Sequence, residues 1–429
     1  MARKMKDSGI EWIGEIPEGW TKNKVIRSFD TIGSGTTPKN ITSDFPVVNW
    51  IQSGDITGSF MPTCKNVISA NLLSQYSALK VYPAPFIIIA MYGASVGNAS
   101  ISLIDGCVNQ ACCVLSSPSC NLHYAFYVIK SAQSYLVRKA VGGGQPNISQ
   151  ETIKQLWLPL PPLSTQDIIV RNLDATCSKI DDLLSSVHAS IEEYKKLKQA
   201  VITQAVTNGV RGEREMKDSG VEWIGEIPKE WVIQKIKSIS SRINVGVVIR
   251  PSEYFDENGT VPFLRGINVK EYLISSDNMV YINESSNHIL SKSQVHTDDI
   301  LIVRDGSIGT SCVVPAEYDG ANVVSMVIVT PSISCDSRFI CYSLNSDVGK
   351  TQFTLTKIGS ALTHTSVSAV SDIIVAVPSC AEQKEIADYL DAKCAEIDGL
   401  IAKKEQLVKE LESYKKSLIY EVVTGKREV

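Results

Sequence analysis

The sequence predicts an α+β protein: two globular mixed α/β domains separated by two long helices that pair as an antiparallel coiled coil, with a pseudo-twofold internal repeat. Three observations carry that expectation. The opening segment Met5 to Trp20 returns as Met216 to Trp231 with three of its 16 positions changed. Gln166 to Thr207 lines up with Gln383 to Thr424 at a shift of 217 residues, without a gap. Between these frames the halves share almost nothing, and short apolar runs alternate there with Gly, Pro, Asn and Ser. A period this long is too large for a solenoid, so the chain reads as two copies of a domain-sized unit. Matched frames with unmatched centres imply two similar modules that recognise different things.

Within the modules, Phe86 to Met91 is followed by Tyr92-Gly93 and Gly97, and Ile300 to Val303 by Arg304-Asp305-Gly306 and Gly309. Each stretch reads as a buried strand, a glycine turn and a returning strand. Val108 to Leu115 and Asn322 to Thr330 are again strand-like. Trp12, Trp20, Trp223 and Trp231 of the repeated segments are expected to pack structurally. Long polar loops on such a framework are where recognition usually sits.

The closing segments carry the strongest signal. Leu173, Ile180, Val187, Tyr194 and Val201 recur every seven residues, interleaved with Cys177, Leu184, Ile191 and Ala205, and Lys198 breaks the second series. In the second copy Leu390, Ile397, Leu411 and Leu418 alternate with Cys394, Ile401 and Val408. Lys404 interrupts its first series, and Lys415 falls where Lys198 fell. That spacing is a coiled-coil seam. Pro161-Pro162 and Pro378 precede the helices, Ser379-x-x-Glu382 forms a capping box, and Thr207-Asn208-Gly209 and Thr424-Gly425 supply the stops. Each helix of about 40 residues extends ~60 Å. An isolated seam would expose its apolar stripe, so the two helices are expected to pair, antiparallel because a parallel pair needs a return path along the whole helix.

Length bounds the rest: 429 residues suggest two to four domains, and 44% hydrophobic with 21% charged residues describes a globular chain with ample core. No apolar run reaches the ~18 residues that span a membrane, and no apolar stretch follows the N-terminus, so neither a membrane span nor a secretory signal is expected. Eleven cysteines without a Cys-x-x-Cys pair fit reduced thiols in a cytoplasmic protein and argue against zinc. Net charge is −4, but residues 1–150 carry 12 Lys+Arg against 8 Asp+Glu, whereas 215–380 carry 13 against 19. Non-specific DNA affinity needs clustered cations, so such a chain binds DNA weakly without basic partners.

Catalytic motifs are absent from the sequence. Gly349-Lys350 and Gly425-Lys426 lack the upstream glycine of a P-loop, and Gly142-Gly143-Gly144-Gln145 lacks the dinucleotide-binding form and precedes no helix start. The five histidines (His123, His188, His288, His296, His364) stand in no His-Glu-x-x-His or Gly-x-Ser-x-Gly setting. The Asn/Asp-Pro-Pro-aromatic motif of amino-methyltransferases is missing too. An enzyme in its own right is not expected.

The repeated Lys-Asp-Ser-Gly-x-Glu-Trp-Ile-Gly-Glu-Ile-Pro, Trp50 to Ile56, Gly143-Gly-Gln-Pro-Asn-Ile-Ser149, Leu158 to Pro162 with Gln166, Glu382-Gln383 and Tyr414 to Lys426 resemble the specificity subunit of Type I restriction–modification systems along the whole chain. The resemblance implies target-recognition domains at 1–163 and 209–380, with spacer helices at 164–208 and 381–425. It implies double-stranded DNA, two modification methyltransferase subunits and two restriction/translocase subunits as partners. It places S-adenosylmethionine, ATP and Mg²⁺ in those partners, with no cofactor of the chain's own. Divergent centres on one spacer imply an asymmetric bipartite target, the ~60 Å spacer set against ~34 Å per DNA turn.

Candidate base readers are loop residues. Lys39, Asn40, Gln52, Ser53, Tyr92, Gln145 and Asn147 stand in the first domain; Arg265, Asn268, Arg304, Thr363 and His364 hold comparable places in the second. Arg suits guanine, and Asn or Gln suits adenine, through paired hydrogen bonds. Asp305 beside Arg304 is a competing partner for that cation. Two other readings stay open: an orphan specificity subunit that directs adenine methylation only, and a twin-domain scaffold that reads no DNA.

Overall fold

A computed structural model of the chain describes residues 3–39, 41–142, 146–355 and 364–429. They form two units: Met1–Val187 with Gln406–Val429, and His188–Glu405. The long helices, Leu163–Asn208 and Cys380–Val423, are each divided between the units instead of standing apart from the modules.

In the first unit the strands Phe29–Gly33, Cys112–Pro118, Phe86–Ala90, Ala99–Ser102 and Phe60–Met61 form one sheet in that order. All five residues of Phe86–Ala90 are buried, as a continuous apolar run covered on both faces requires. A smaller sheet joins Cys107–Val108, Val47–Ile51 and Val67–Ser69, and Thr21–Lys24 pairs with Trp157–Leu160. The second unit repeats the plan. Ser240–Val245, Met326–Pro331, Ile300–Val303 and Ser311–Val313 form its main sheet. Asn322–Val323, Val261–Leu264 and Val280–Ile282 form the smaller one, and Val232–Lys235 pairs with Ile374–Val377.

The glycine turns lie where the sequence puts them, and Gly93, Gly97, Gly306 and Gly309 all adopt positive φ. The runs from Val108 and Asn322, however, are not single strands. Asn109-Gln110-Ala111 and Val324-Ser325 interrupt them and carry the chain from the smaller sheet to the larger. A single pleated strand cannot pair with two differently oriented sheets, which is why the alternation breaks there.

In each unit the two helical segments run antiparallel. In the first, Asp181 pairs with Lys415 at 2.5 Å, while the Tyr124 hydroxyl at the other end donates to the carbonyls of Pro159 and Val423. In the second, Lys404 lies 5.5 Å over the Tyr194 ring and Lys198 pairs with Asp398 at 2.6 Å, so advancing along one helix retreats along the other. Leu173, Cys177, Ile180, Ile191, Leu390, Cys394, Ile397, Val408 and Leu418 are buried. Leu184, Val187, Tyr194, Val201, Ile401 and Leu411 are half-buried, and near the end of the first helix Ile202 goes deeper than Val201. The seam-breaking lysines are ion-pair partners, with the Lys198–Asp398 pair repeating Lys415–Asp181 at the 217-residue shift.

The frame residues explain themselves as ties between helix and module. Buried Gln166 accepts from the Asn121 N–H and donates to the Pro161 carbonyl; Gln383 does the same with Asp336 and Pro378. Asn121 and Asp336 cap the helices Leu122–Ser131 and Ser337–Asn345, whose Tyr127 and Tyr342 hydroxyls donate to Asp174 and Asp391 at 2.6 and 2.8 Å. Arg3 covers Trp20 and Arg214 covers Trp231, each at 5.3 Å. The expectation for one of the four tryptophans needs correcting: Trp12 is buried against Tyr135, but Trp223 is 37% exposed. All eleven cysteines are free thiols.

Candidate nucleic-acid interface

At one end of the first unit's sheets a chain of backbone bonds draws several loops together. Ile51, the last residue of its strand, accepts from the Asn109 N–H, and two residues on, the Ala111 carbonyl accepts from Met91. Met91 accepts from Ile148, and Gly93 donates to Pro146. Tyr92 and Asn147 thus face each other in a β-bridge. Thr37 donates to the Gln110 side chain at 2.7 Å, adding the loop that leads to exposed Lys39, whose N–H meets the Tyr76 hydroxyl. A Cβ at Gly35 would stand 1.7 Å from the Val108 carbonyl, so only glycine lets that loop lie on the strand.

Gln52 opens a turn fixed by its neighbours. The Asp55 N–H donates to the Gln52 carbonyl, and the Gln52 N–H donates to the Asp55 carboxylate, both at 2.9 Å. Gln52 and Ser53 are half-buried there, and Tyr92 and Asn147 are exposed. Burial, with the Asp55 charge adding, pushes the Cys112 thiol below this turn up to about 12, so it is no nucleophile at neutral pH.

The second unit builds the same end from different side chains. Leu264 accepts from the Val324 N–H as Ile51 does from Asn109. Arg265 opens a turn in which its N–H donates to the Asn268 side-chain oxygen at 3.1 Å and its carbonyl accepts from the Asn268 N–H at 2.8 Å. Asp305 and His364 face each other as Tyr92 and Asn147 do, and Arg304 Nε donates to the Thr365 carbonyl at 2.9 Å. The structure therefore brings Gln52, Ser53, Tyr92 and Asn147 together in one unit, and Arg265, Arg304 and His364 together in the other.

Not every candidate keeps its role. Asn268 is fully buried, and its amide is spent on the Ser275 and Asp277 carbonyls, so it shapes the turn and has nothing left for a base. Among the described residues Arg304 forms no ion pair, and Asp305 accepts from Ser325 instead. Asn40, Gln145 and Thr363 lie outside the described residues. Sequence reasoning missed Asn109, Gln110 and Ser325 at this end, hidden inside runs read as strands. It also missed Asp55, whose signal is the shared spacing Gln52-x-x-Asp55 and Arg265-x-x-Asn268. No group of three or more His, Cys, Asp or Glu able to hold a metal occurs among the described residues.

Comparison with known proteins settles the family. The model of the Type I restriction modification DNA specificity domain matches residues 17–193 and 228–410. The chain belongs to this family. Both matched spans of the specificity domain open on the proline of the repeated segment, Pro17 and Pro228, and close inside a long helix. Relatives include the MjaVIII Type I restriction enzyme specificity subunit of Methanocaldococcus jannaschii, 27% identical over 309 residues, or 71% of this chain and 69% of the relative. The EcoBI specificity subunit of Escherichia coli is 21% identical over 415 residues, 93% of this chain and 84% of its own length. A solved chain from work on complex assembly and conformational transition of the type I R-M system shares the fold with a TM-score of 0.73 at 14% identity. That comparison covers 95% of this chain and 98% of the other.

Proposed function

We propose that this chain gives a type I restriction–modification complex its DNA specificity, each domain reading one half of an asymmetric bipartite target. The observation that carries this reading is the capped turn. One backbone arrangement carries Gln52 in the first unit and Arg265 in the second, residue types suited to adenine and to guanine, the Arg265 guanidinium being braced by a bond to the Asn278 carbonyl. A non-reading scaffold gives no reason for one turn shared by both units to hold side chains of such different hydrogen-bonding chemistry.

The same proposal leaves the chemistry to partners. Two modification methyltransferase subunits bring S-adenosylmethionine, two restriction/translocase subunits bring ATP and Mg²⁺, and their basic surfaces supply the phosphate contacts this acidic chain lacks. Two weak readers on one chain gain affinity through effective concentration.

The test is genome-wide adenine-methylation mapping with and without the gene, in cells that express the neighbouring methyltransferase. One bipartite motif should vanish on deletion, and Gln52→Arg should change one position in one half-site only, since a bidentate pair discriminates by about 1–3 kcal/mol. If no motif responds to the deletion, the scaffold reading replaces this one.

A further inference from the structure

The two units differ at one place where the module meets the helix pair. In the second unit the loop that follows the capped turn reaches in: Tyr272, four residues after Asn268, stacks on Tyr342 at 4.8 Å and lies 5.6 Å from the Lys198 ammonium. Its neighbour Glu271 pairs with Lys350 at 2.8 Å. Lys350 donates to the Gln199 side chain, and Gln199 donates to the Asn345 carbonyl. Module and helix are closed on each other by an aromatic ring and a carboxylate.

In the first unit the residue four after Asp55 is Ser59, so the ring is missing. Lys130 stands where Asn345 stands, nine residues after the helix cap, and donates to Ser59 Oγ at 3.0 Å. On the other side of Lys130 lies a cavity of about 340 Å³ lined by Lys130, Lys415, Lys416, Asp181, Glu412 and Leu184, among others. Asp181 is spent on Lys415, and among the described residues neither Lys130 nor Lys416 has an ion-pair partner. Burial, and then the nearby Lys415 charge, holds the Lys130 ammonium below its usual range, with Asp181 opposing the shift only in part.

The geometry points to a docking socket: the first unit's cavity takes an aromatic side chain flanked by a carboxylate, presented by a partner polypeptide, in the place that Tyr272 and Glu271 hold in the second unit. The chain itself displays the occupant chemistry that closes such a gap. Charge complementarity agrees, because an incoming carboxylate meets Lys130 and Lys416 and the ring meets Lys415 as Tyr272 meets Lys198. A partner that seats on both units then has a side chain to insert on one and a filled surface to meet on the other. This goes beyond base reading and does not depend on it.

The experiment uses the full chain and a fluorescein-labelled, amidated peptide Val-Lys-Glu-Tyr-Leu-Ile-Ser, which copies residues 269–275, followed by fluorescence anisotropy. Saturable binding is expected. Ser59→Tyr, which builds the second unit's plug into the first, should weaken it at least about tenfold, as should alanine in place of the peptide's tyrosine, the order expected for an aromatic anchor. Lys130→Asn should weaken it severalfold through the lost charge. Absence of saturable binding overturns the proposal, and so does unchanged affinity with Ser59→Tyr. Should that variant fail to fold, equal affinity of the native chain for the tyrosine and alanine peptides overturns it instead. A chain that binds the peptide while no methylation motif responds to gene deletion would keep the socket and lose the specificity reading.

Discussion

The module centres and the frame of this chain follow different rules. In the frame, equivalent residues do equivalent work: Gln166 and Gln383 tie helix cap to proline, and Tyr127 and Tyr342 reach Asp174 and Asp391. In the centres the backbone plan recurs but the side chains diverge, with Gln52 against Arg265, Tyr92 against Asp305 and Ser59 against Tyr272. The difference teaches where selection for stability ends and selection for contact begins. A strand order and a capped turn can be kept while everything that projects from them is exchanged.

The equivalence of the frame is breakable, and its weakest point is the tryptophan pair. Trp12→Ala should cost about 3–5 kcal/mol, the usual result of emptying a buried aromatic site, whereas Trp223→Ala should cost less because more than a third of that residue is exposed. Hydrogen exchange resolved by unit would read the two separately, and equal losses would contradict the asymmetry. Next come the glutamines. Gln166→Leu and Gln383→Leu each strand a buried N–H and a buried C=O, about 1–3 kcal/mol per group, and the two variants should lose alike. A loss confined to one unit would show that the shared geometry hides unequal energetics.

The smallest effect sharpens the comparison through pH. Burial, then the bond to Asp174 or Asp391, raises the pKa of the Tyr127 and Tyr342 hydroxyls above the ordinary tyrosine value. A proton held more tightly when folded stabilises fully below the unfolded value, about pH 10, and is lost as pH rises past it. Alkaline titration of melting temperature should therefore fall less steeply for Tyr127→Phe and Tyr342→Phe, each of which also gives up about 1 kcal/mol of hydrogen bonding at neutral pH. Identical alkaline limbs in parent and variants would refute the linkage.

The helices, the strand–glycine turns and the twofold repeat were legible because each has a local signature: a heptad, a continuous apolar run, a copied string. The interruptions at Asn109 and Ser325 were not, because a switch between sheets leaves the alternation of neighbouring residues intact. Asn268 read as a polar loop residue, and only the fold shows that the loop closes around it. Trp223 is more exposed than Trp12, which packs on Tyr135, because a copied string does not show what its surroundings supply. The exchange of Lys198 and Lys415 with Asp398 and Asp181 was within reach of the sequence, since opposite charges already stood at matching places in an antiparallel register.

Those two ion pairs also say which helix alignment the chain refuses. Slid into a parallel match at the 217-residue shift, Lys198 would confront Lys415 and Asp181 would confront Asp398, setting two repulsions beside the seam where two attractions now stand. The apolar heptads alone accept either direction. Four charged side chains thus add a bias of direction to the seam, a modest one because both aspartates are more than half exposed and such pairs contribute about 0–1 kcal/mol each.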